Sequence, residues 1–92
     1  MEFEWDARKA AENLREHKVS FIEAASVFGD FLSTTAADPA HSAGEHRYIT
    51  VGLSNLGRLL MVAHTEQGDR MRIISARTLT AREERAYENT EE

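Results

Sequence analysis

From Arg47 to Arg77 the chain reads as three consecutive strands with short turns between them, and no other feature constrains its fold as tightly. The segments are Arg47–Leu53, Leu59–Thr65 and Arg70–Arg77, short runs of β-branched and other apolar residues. Asn55–Gly57 and Gln67–Gly68 supply the turns, so antiparallel pairing is expected. The middle segment is apolar almost throughout, which predicts a central strand buried on both faces.

Helices precede and follow this run. Phe3–Trp5 reads as a short opening strand, and Asp6 is placed to cap a helix that ends near Lys18. Ala7, Ala10, Ala11 and Leu14 recur with helical spacing and predict its apolar stripe, with Trp5 stapled against Ala10. Ser20 and Glu23 form a capping box for a second helix, stapled by Val19 and Ala24. That helix turns Phe21, Ala24, Ala25 and Phe28 inward and is expected to end on Gly29 in a left-handed cap. Phe31–Thr35 reads as a strand and 36–44, with the only proline, as an exposed loop. A further capping box, Thr80 with Glu83, opens a last helix through Glu88, and the tail beyond is expected to fray. The expected class is α+β: an antiparallel sheet of three to five strands, two N-terminal helices and one C-terminal helix, with the helices packed on one face.

At 92 residues the chain is expected to form one domain with one modest core. It has no cysteine, which excludes disulfides, thiolate metal sites and thiol nucleophiles and fits a reducing cytoplasm. The N-terminus does not resemble a signal peptide, and the longest apolar run, Leu59–Ala63, is too short to span a membrane. A net charge of −5 argues against a broad electrostatic grip on nucleic acid. The charge is unevenly placed, however: Arg47, Arg58, Arg70, Arg72 and Arg77 fall in the strand region and acids crowd both ends, leaving room for a local basic face.

Two groups of polar residues stand out. Lys9, Asn13 and His17 stack at i, i+4, i+8 beside the apolar stripe, where they either line a groove or form an ordinary polar helix margin. In the last strand, alternation puts Met71, Ile73, Ser75 and Arg77 on one face and Arg72, Ile74 and Ala76 on the other. An arginine in a core-facing register needs an anion: a carboxylate such as Glu83 or Glu23, or a phosphate. His41 and His46 lie in or beside the loop without metal-ligand spacing, and His64 reads as a satisfied structural histidine. Zinc patterns, glycine-rich phosphate loops and nucleophile elbows are missing from the sequence.

Several motifs together resemble the BrnT toxin family. They are F-E-W-D-x-x-K at Phe3–Lys9, Asn13, H-x-V-S-F at His17–Phe21 and E-A-A-x-V-F-G-D at Glu23–Asp30. G-x-x-R-Y at Gly44–Tyr48, G-R-L-L-M-V-A-H-T at Gly57–Thr65, R-I-I-S-A-R at Arg72–Arg77 and T-x-x-E-x-x-x-Y at Thr80–Tyr87 complete the set. The resemblance implies a RelE-like ribonuclease fold and a type II toxin that stops translation by cutting RNA, with no cofactor. It also implies neutralisation by a BrnA-like ribbon-helix-helix antitoxin. Operator DNA would be reached only through that partner, in a complex where the toxin is dimeric. By analogy with metal-independent ribonucleases, His17 or Lys9 would assist proton transfer while Arg77 and Arg47 hold the phosphate. Arg72 or Arg58 would add a second phosphate contact, Tyr87 would stack on a base or donate to the leaving oxygen, and Glu83 joins the set. Glu16 and Lys18 stand where the family shows Lys and Gly around the histidine, and Leu79 and Glu84 where Ala and Arg are common. These departures frame a second expectation: a catalytically weak module that binds a DNA-binding partner in operon autorepression.

Overall fold

Asp6 and Ser20 start the two N-terminal helices as their spacing predicts. In the computed structural model, which describes residues 2–39 and 46–90, the Asp6 carboxylate accepts from the N–H groups of Arg8 and Lys9 at 2.8 and 3.1 Å. Those bonds hold the Asp6 carboxyl below the usual carboxylate range. Helix α1 runs Ala7–His17 and ends on Lys18, whose φ of 59° is left-handed. The Ser20 hydroxyl accepts from the Glu23 N–H at 3.0 Å and opens α2, Phe21–Ser26.

Among the described residues five strands form one sheet: β1 Glu2–Glu4, β2 Thr34–Ala37, β3 Arg47–Leu53, β4 Leu59–Gln67 and β5 Arg70–Thr78. Their order is β1-β5-β4-β3-β2. The β2–β3, β3–β4 and β4–β5 pairings are antiparallel, and the two turns that join β3 to β4 and β4 to β5 place Gly57 and Gly68 at φ of 78° and 64°. Helix α3, Ala81–Thr90, closes the described chain. The core lies between the sheet and the N-terminal helices: Val19, Phe21, Ala24, Val27, Leu60, Val62, Ile73 and Ala76 are buried together, with Trp5, Ala10, Ala25 and Phe28 packed against them. Among the described residues no helix is long and apolar enough to cross a membrane.

The α+β class stands, with local corrections. Strand β1 pairs with β5 in parallel, because α1 and α2 intervene before the sheet is rejoined, so the sheet is mixed. Gly29 does not form a left-handed cap: α2 tightens into a 3-10 turn over Val27–Gly29, and Asp30 continues in extended conformation. The fourth strand lies at Thr34–Ala37 and not at Phe31–Thr35, because Asp30 spends its carboxylate on a turn. Its Oδ1 accepts from the Leu32 N–H at 3.0 Å and its Oδ2 from the Leu53 N–H at 2.8 Å, which leaves Phe31 fully exposed. Ala36 and Ala37 therefore belong to β2, while His41 and Gly44 lie outside the described residues. The central strand is fully buried on one face only, through Leu60, Val62 and His64; Leu59, Met61 and Ala63 on the other face are half-buried. Nor do all helices share a face, since Glu83, Ala86 and Tyr87 of α3 border a shallow cleft with Val51 and Met61 on the side opposite the core.

Candidate active site

Strand β1 covers only Glu2–Glu4, paired with Arg70–Arg72, so among the described residues the rest of β5 has no strand on its outer side. Helix α1 fills that place. The Asn13 side chain donates from Nδ2 to the carbonyls of Val19 and Ala76 at 2.9 and 2.8 Å, and its Oδ1 accepts from the Ala76 N–H at 3.1 Å. One buried amide thus does for Ala76 what a neighbouring strand would do. The orientation explains why the apolar stripe is only partly used: the neighbour offers unpaired peptide groups, which an amide satisfies and a methyl does not. Ala10 packs on the core, whereas Leu14 is half exposed. His17, one turn beyond Asn13, is carried past the edge of β5.

A β-bulge decides where the strand arginine points. Ala63 pairs with Ser75 but His64 pairs with Ile73, so Ile74 has no counterpart on β4. The extra residue shifts the alternation by one. Met71, Ile73 and Ala76 are therefore buried, while Ser75 and Arg77 turn to the open face, correcting the expectation that Arg77 shares a face with Met71 and Ile73. There they meet Arg47 and Ile49 of β3 and Met61 and Ala63 of β4, and His17 closes the side. Together with Asp38 and Ala76 these residues border a cleft of about 350 Å³. Asp38 follows β2, and its N–H donates to the Arg47 carbonyl at 2.9 Å, which fixes it beside the start of β3.

Arg77 and Glu83 form a bidentate pair, Nη1 to Oε1 at 2.8 Å and Nη2 to Oε2 at 2.9 Å. Nη1 also donates to the Thr78 carbonyl, and Nη2 contacts Met61 Sδ. Glu83 Oε1 accepts from the Thr80 N–H at 2.9 Å, and the Thr80 hydroxyl accepts from the Glu83 N–H at 3.2 Å, so the predicted capping box is complete. The Arg77 guanidinium and then the Thr80 N–H pull the Glu83 carboxyl down to about 2. Glu83 in turn raises Arg77 above its ordinary value. Tyr87 lies in the adjoining cleft, which shares Met61 with the first, and its hydroxyl donates to the Leu32 carbonyl at 2.7 Å.

The remaining candidates lie elsewhere. Lys9 is exposed and sits two turns before His17, roughly 12 Å along the helix axis. Arg58 is committed to structure: it forms an ion pair with the buried Glu23, with Nε to Oε2 at 3.0 Å, and donates from Nη2 to the Lys18 carbonyl at 3.0 Å. Ser54 Oγ donates to Glu23 Oε2 at 2.7 Å, and the Arg58 and Ser54 bonds outweigh burial and lower the Glu23 carboxyl. Arg72 pairs with Glu4 at 2.8 Å near β1. His64 is structural, with Nε2 2.7 Å from Thr50 Oγ1 and its ring against Phe28 and Tyr48. It is not fully satisfied, because Nδ1 is buried without a hydrogen-bond partner, and burial lowers its pKa. Among the described residues no group of three or more His, Asp or Glu is placed to hold a metal ion.

Of the eight candidates, His17, Arg47 and Arg77 share one cleft, with Glu83 and Tyr87 adjoining it. Sequence reasoning missed Asp38, assigned to an exposed loop, and undervalued Asn13. An asparagine inside a helix is a poor helix former, and that is the signal that its side chain is needed elsewhere.

Comparison with known proteins adds family to geometry. Residues 5–83 match the family model described as "Ribonuclease toxin, BrnT, of type II toxin-antitoxin system". No curated protein matches the chain in sequence. Among solved structures, the crystal structure of the Brucella abortus ribonuclease toxin BrnT is similar, with a TM-score of 0.66 and 23% identity, covering 87% of this chain and 97% of that one.

Proposed function

The chain belongs to the BrnT family of ribonuclease toxins of type II toxin–antitoxin systems, and from that premise we propose that it cuts RNA at the cleft lined by His17, Arg47 and Arg77. The observation that carries the reading is convergence: three residues from α1, β3 and β5, far apart in sequence, meet at one opening. Their chemistry suits metal-independent phosphodiester cleavage. The two guanidiniums hold the scissile phosphate and stabilise the charge that grows on its oxygens. The imidazole transfers a proton. Glu83 acts through Arg77 by fixing its guanidinium plane, and the Tyr87 ring is placed at the adjoining cleft to stack on a base. Lys9 and Arg58 have no part in this step, and Arg72, paired with Glu4, stands outside the cleft.

The biological reading follows the family. The protein inhibits translation in the cytoplasm until a BrnA-like ribbon-helix-helix antitoxin binds it, and operator DNA is reached only through that partner, in a complex where the toxin is dimeric. One observation favours the second reading, a weak or inactive module serving autorepression. Glu83 already neutralises Arg77, and Glu16 adds an acid beside His17. Induced expression separates the two. An active toxin arrests growth while cellular RNA is cut, and both effects disappear with His17→Ala or Arg77→Ala and with co-expressed antitoxin. Arrest that persists in both variants places the site elsewhere, and intact RNA with normal growth leaves the binding module.

A further inference from the structure

We propose that Asp38 is the general base of the cleavage reaction and His17 its general acid, an inference that rests on the ribonuclease reading of this cleft. Attack of a ribose 2′-hydroxyl on the neighbouring phosphate needs two proton transfers. One takes the hydroxyl proton, and the other protonates the departing 5′-oxygen. His17 can serve only one of them at a time. Lys9 lies roughly 12 Å along the helix from His17 and does not border the cleft. The arginines stay protonated and cannot accept, and Ser75 is a poor base. Among the described residues bordering the cleft, Asp38 is the only carboxylate.

The placement supports the role. The Asp38 N–H bond to the Arg47 carbonyl fixes its backbone beside one phosphate-holding arginine. His17 reaches the cleft from the end of α1, one turn beyond the Asn13 bonds to Ala76 of β5. The other charged and titratable groups bordering the cleft are Arg47, Arg77 and His17. A carboxylate accepts a proton, whereas a protonated imidazole donates one. In the step itself the 2′-oxygen–phosphorus bond forms and the phosphorus–5′-oxygen bond breaks. The hydroxyl proton passes to Asp38, the imidazolium proton passes to the 5′-oxygen, and a 2′,3′-cyclic phosphate results.

The test compares purified wild-type, Asp38→Asn, Asp38→Ala, Asp38→Glu and His17→Ala proteins, each checked by melting temperature, on two short RNAs. One RNA carries the ordinary 5′-oxygen at the cleavage point. The other carries a 5′-bridging sulfur, a leaving group that needs no proton. Asp38→Asn and Asp38→Ala are expected to lower kcat about 100-fold or more on both RNAs with KM little changed, and Asp38→Glu to restore part of the loss. His17→Ala is expected to be slow on the oxygen substrate and to recover on the sulfur substrate. Near-wild-type cleavage by Asp38→Asn overturns the assignment. So does recovery of Asp38→Asn on the sulfur substrate, which would make Asp38 the acid. A rise in KM alone would show that Asp38 merely holds Arg47, and also overturns it. A wild-type protein that cuts neither RNA overturns the ribonuclease reading itself and this assignment with it.

Discussion

Replacing Asn13 with Ala is expected to be among the most damaging single changes in α1. The side chain is 5% exposed and makes three hydrogen bonds, two to carbonyls and one from the Ala76 N–H. Truncation leaves all three backbone groups without that partner in a place water does not easily reach. At about 1–3 kcal/mol for each group left unsatisfied, and less for carbonyls that relax, the loss is about 3–5 kcal/mol. For a chain of this size that lowers Tm by roughly 15–30 °C. Asn13→Asp sharpens the test. Its carboxylate still accepts from the Ala76 N–H but sets negative charge against the Val19 and Ala76 carbonyls, so the folded state favours the protonated acid. With the folded pKa above the unfolded one, the penalty is present at neutral pH and is relieved as pH falls through the folded value. Urea unfolding of both variants and wild type between about pH 7 and pH 4 measures this. A cost below about 1 kcal/mol for Asn13→Ala refutes the edge-clamp argument. So does an Asn13→Asp protein that does not gain on wild type in acid.

Three further outcomes follow from the same geometry. Glu83, held at about 2 against an ordinary 4.5, contributes stability that is fully present above 4.5 and is lost as pH falls toward 2. Because the Arg77–Glu83 pair is about one-third exposed, the contribution is about 1 kcal/mol, and acid titration of Glu83→Gln should lack that part of the slope. Arg58→Ala leaves the buried Glu23 carboxylate with Ser54 as its remaining side-chain donor and lowers the urea midpoint, while KM for RNA stays at the wild-type value. Lys18→Gly relieves a left-handed position occupied by a side-chain-bearing residue and raises stability by about 0.5–1 kcal/mol, read from the urea midpoint.

Local signals were legible where the interaction that fixes them is itself local. The Asp6 cap and the Ser20/Glu23 and Thr80/Glu83 spacings are short-range bonds between neighbouring residues, and they define helix starts without reference to the rest of the molecule. The three-strand run was legible because its turns force consecutive pairing. What failed depended on partners distant in the chain. The bulge opposite Ile74 exists only in the match between two strands, yet it moves Arg77 to the open face. The parallel return of β1 and the placement of α1 along the edge of β5 depend on which strand is left unpaired, and strand patterns do not show that. Asp38 looked like loop because its place on the cleft follows from the pairing of β2 with β3, which local sequence does not show. Arg58 and Arg77 look alike in sequence, and only the fold gives one a buried glutamate and the other a place on the cleft.

We propose that His17, Arg47 and Arg77 form one RNA-cleaving site. It is tested most directly by the kcat/KM of purified protein on a defined RNA, for wild type and for His17→Ala, Arg47→Ala and Arg77→Ala, with folding verified by thermal melts. Wild type is expected to cleave without added metal, and each folded variant to lose about 100-fold or more. Wild-type rates in any two of the three folded variants would contradict it.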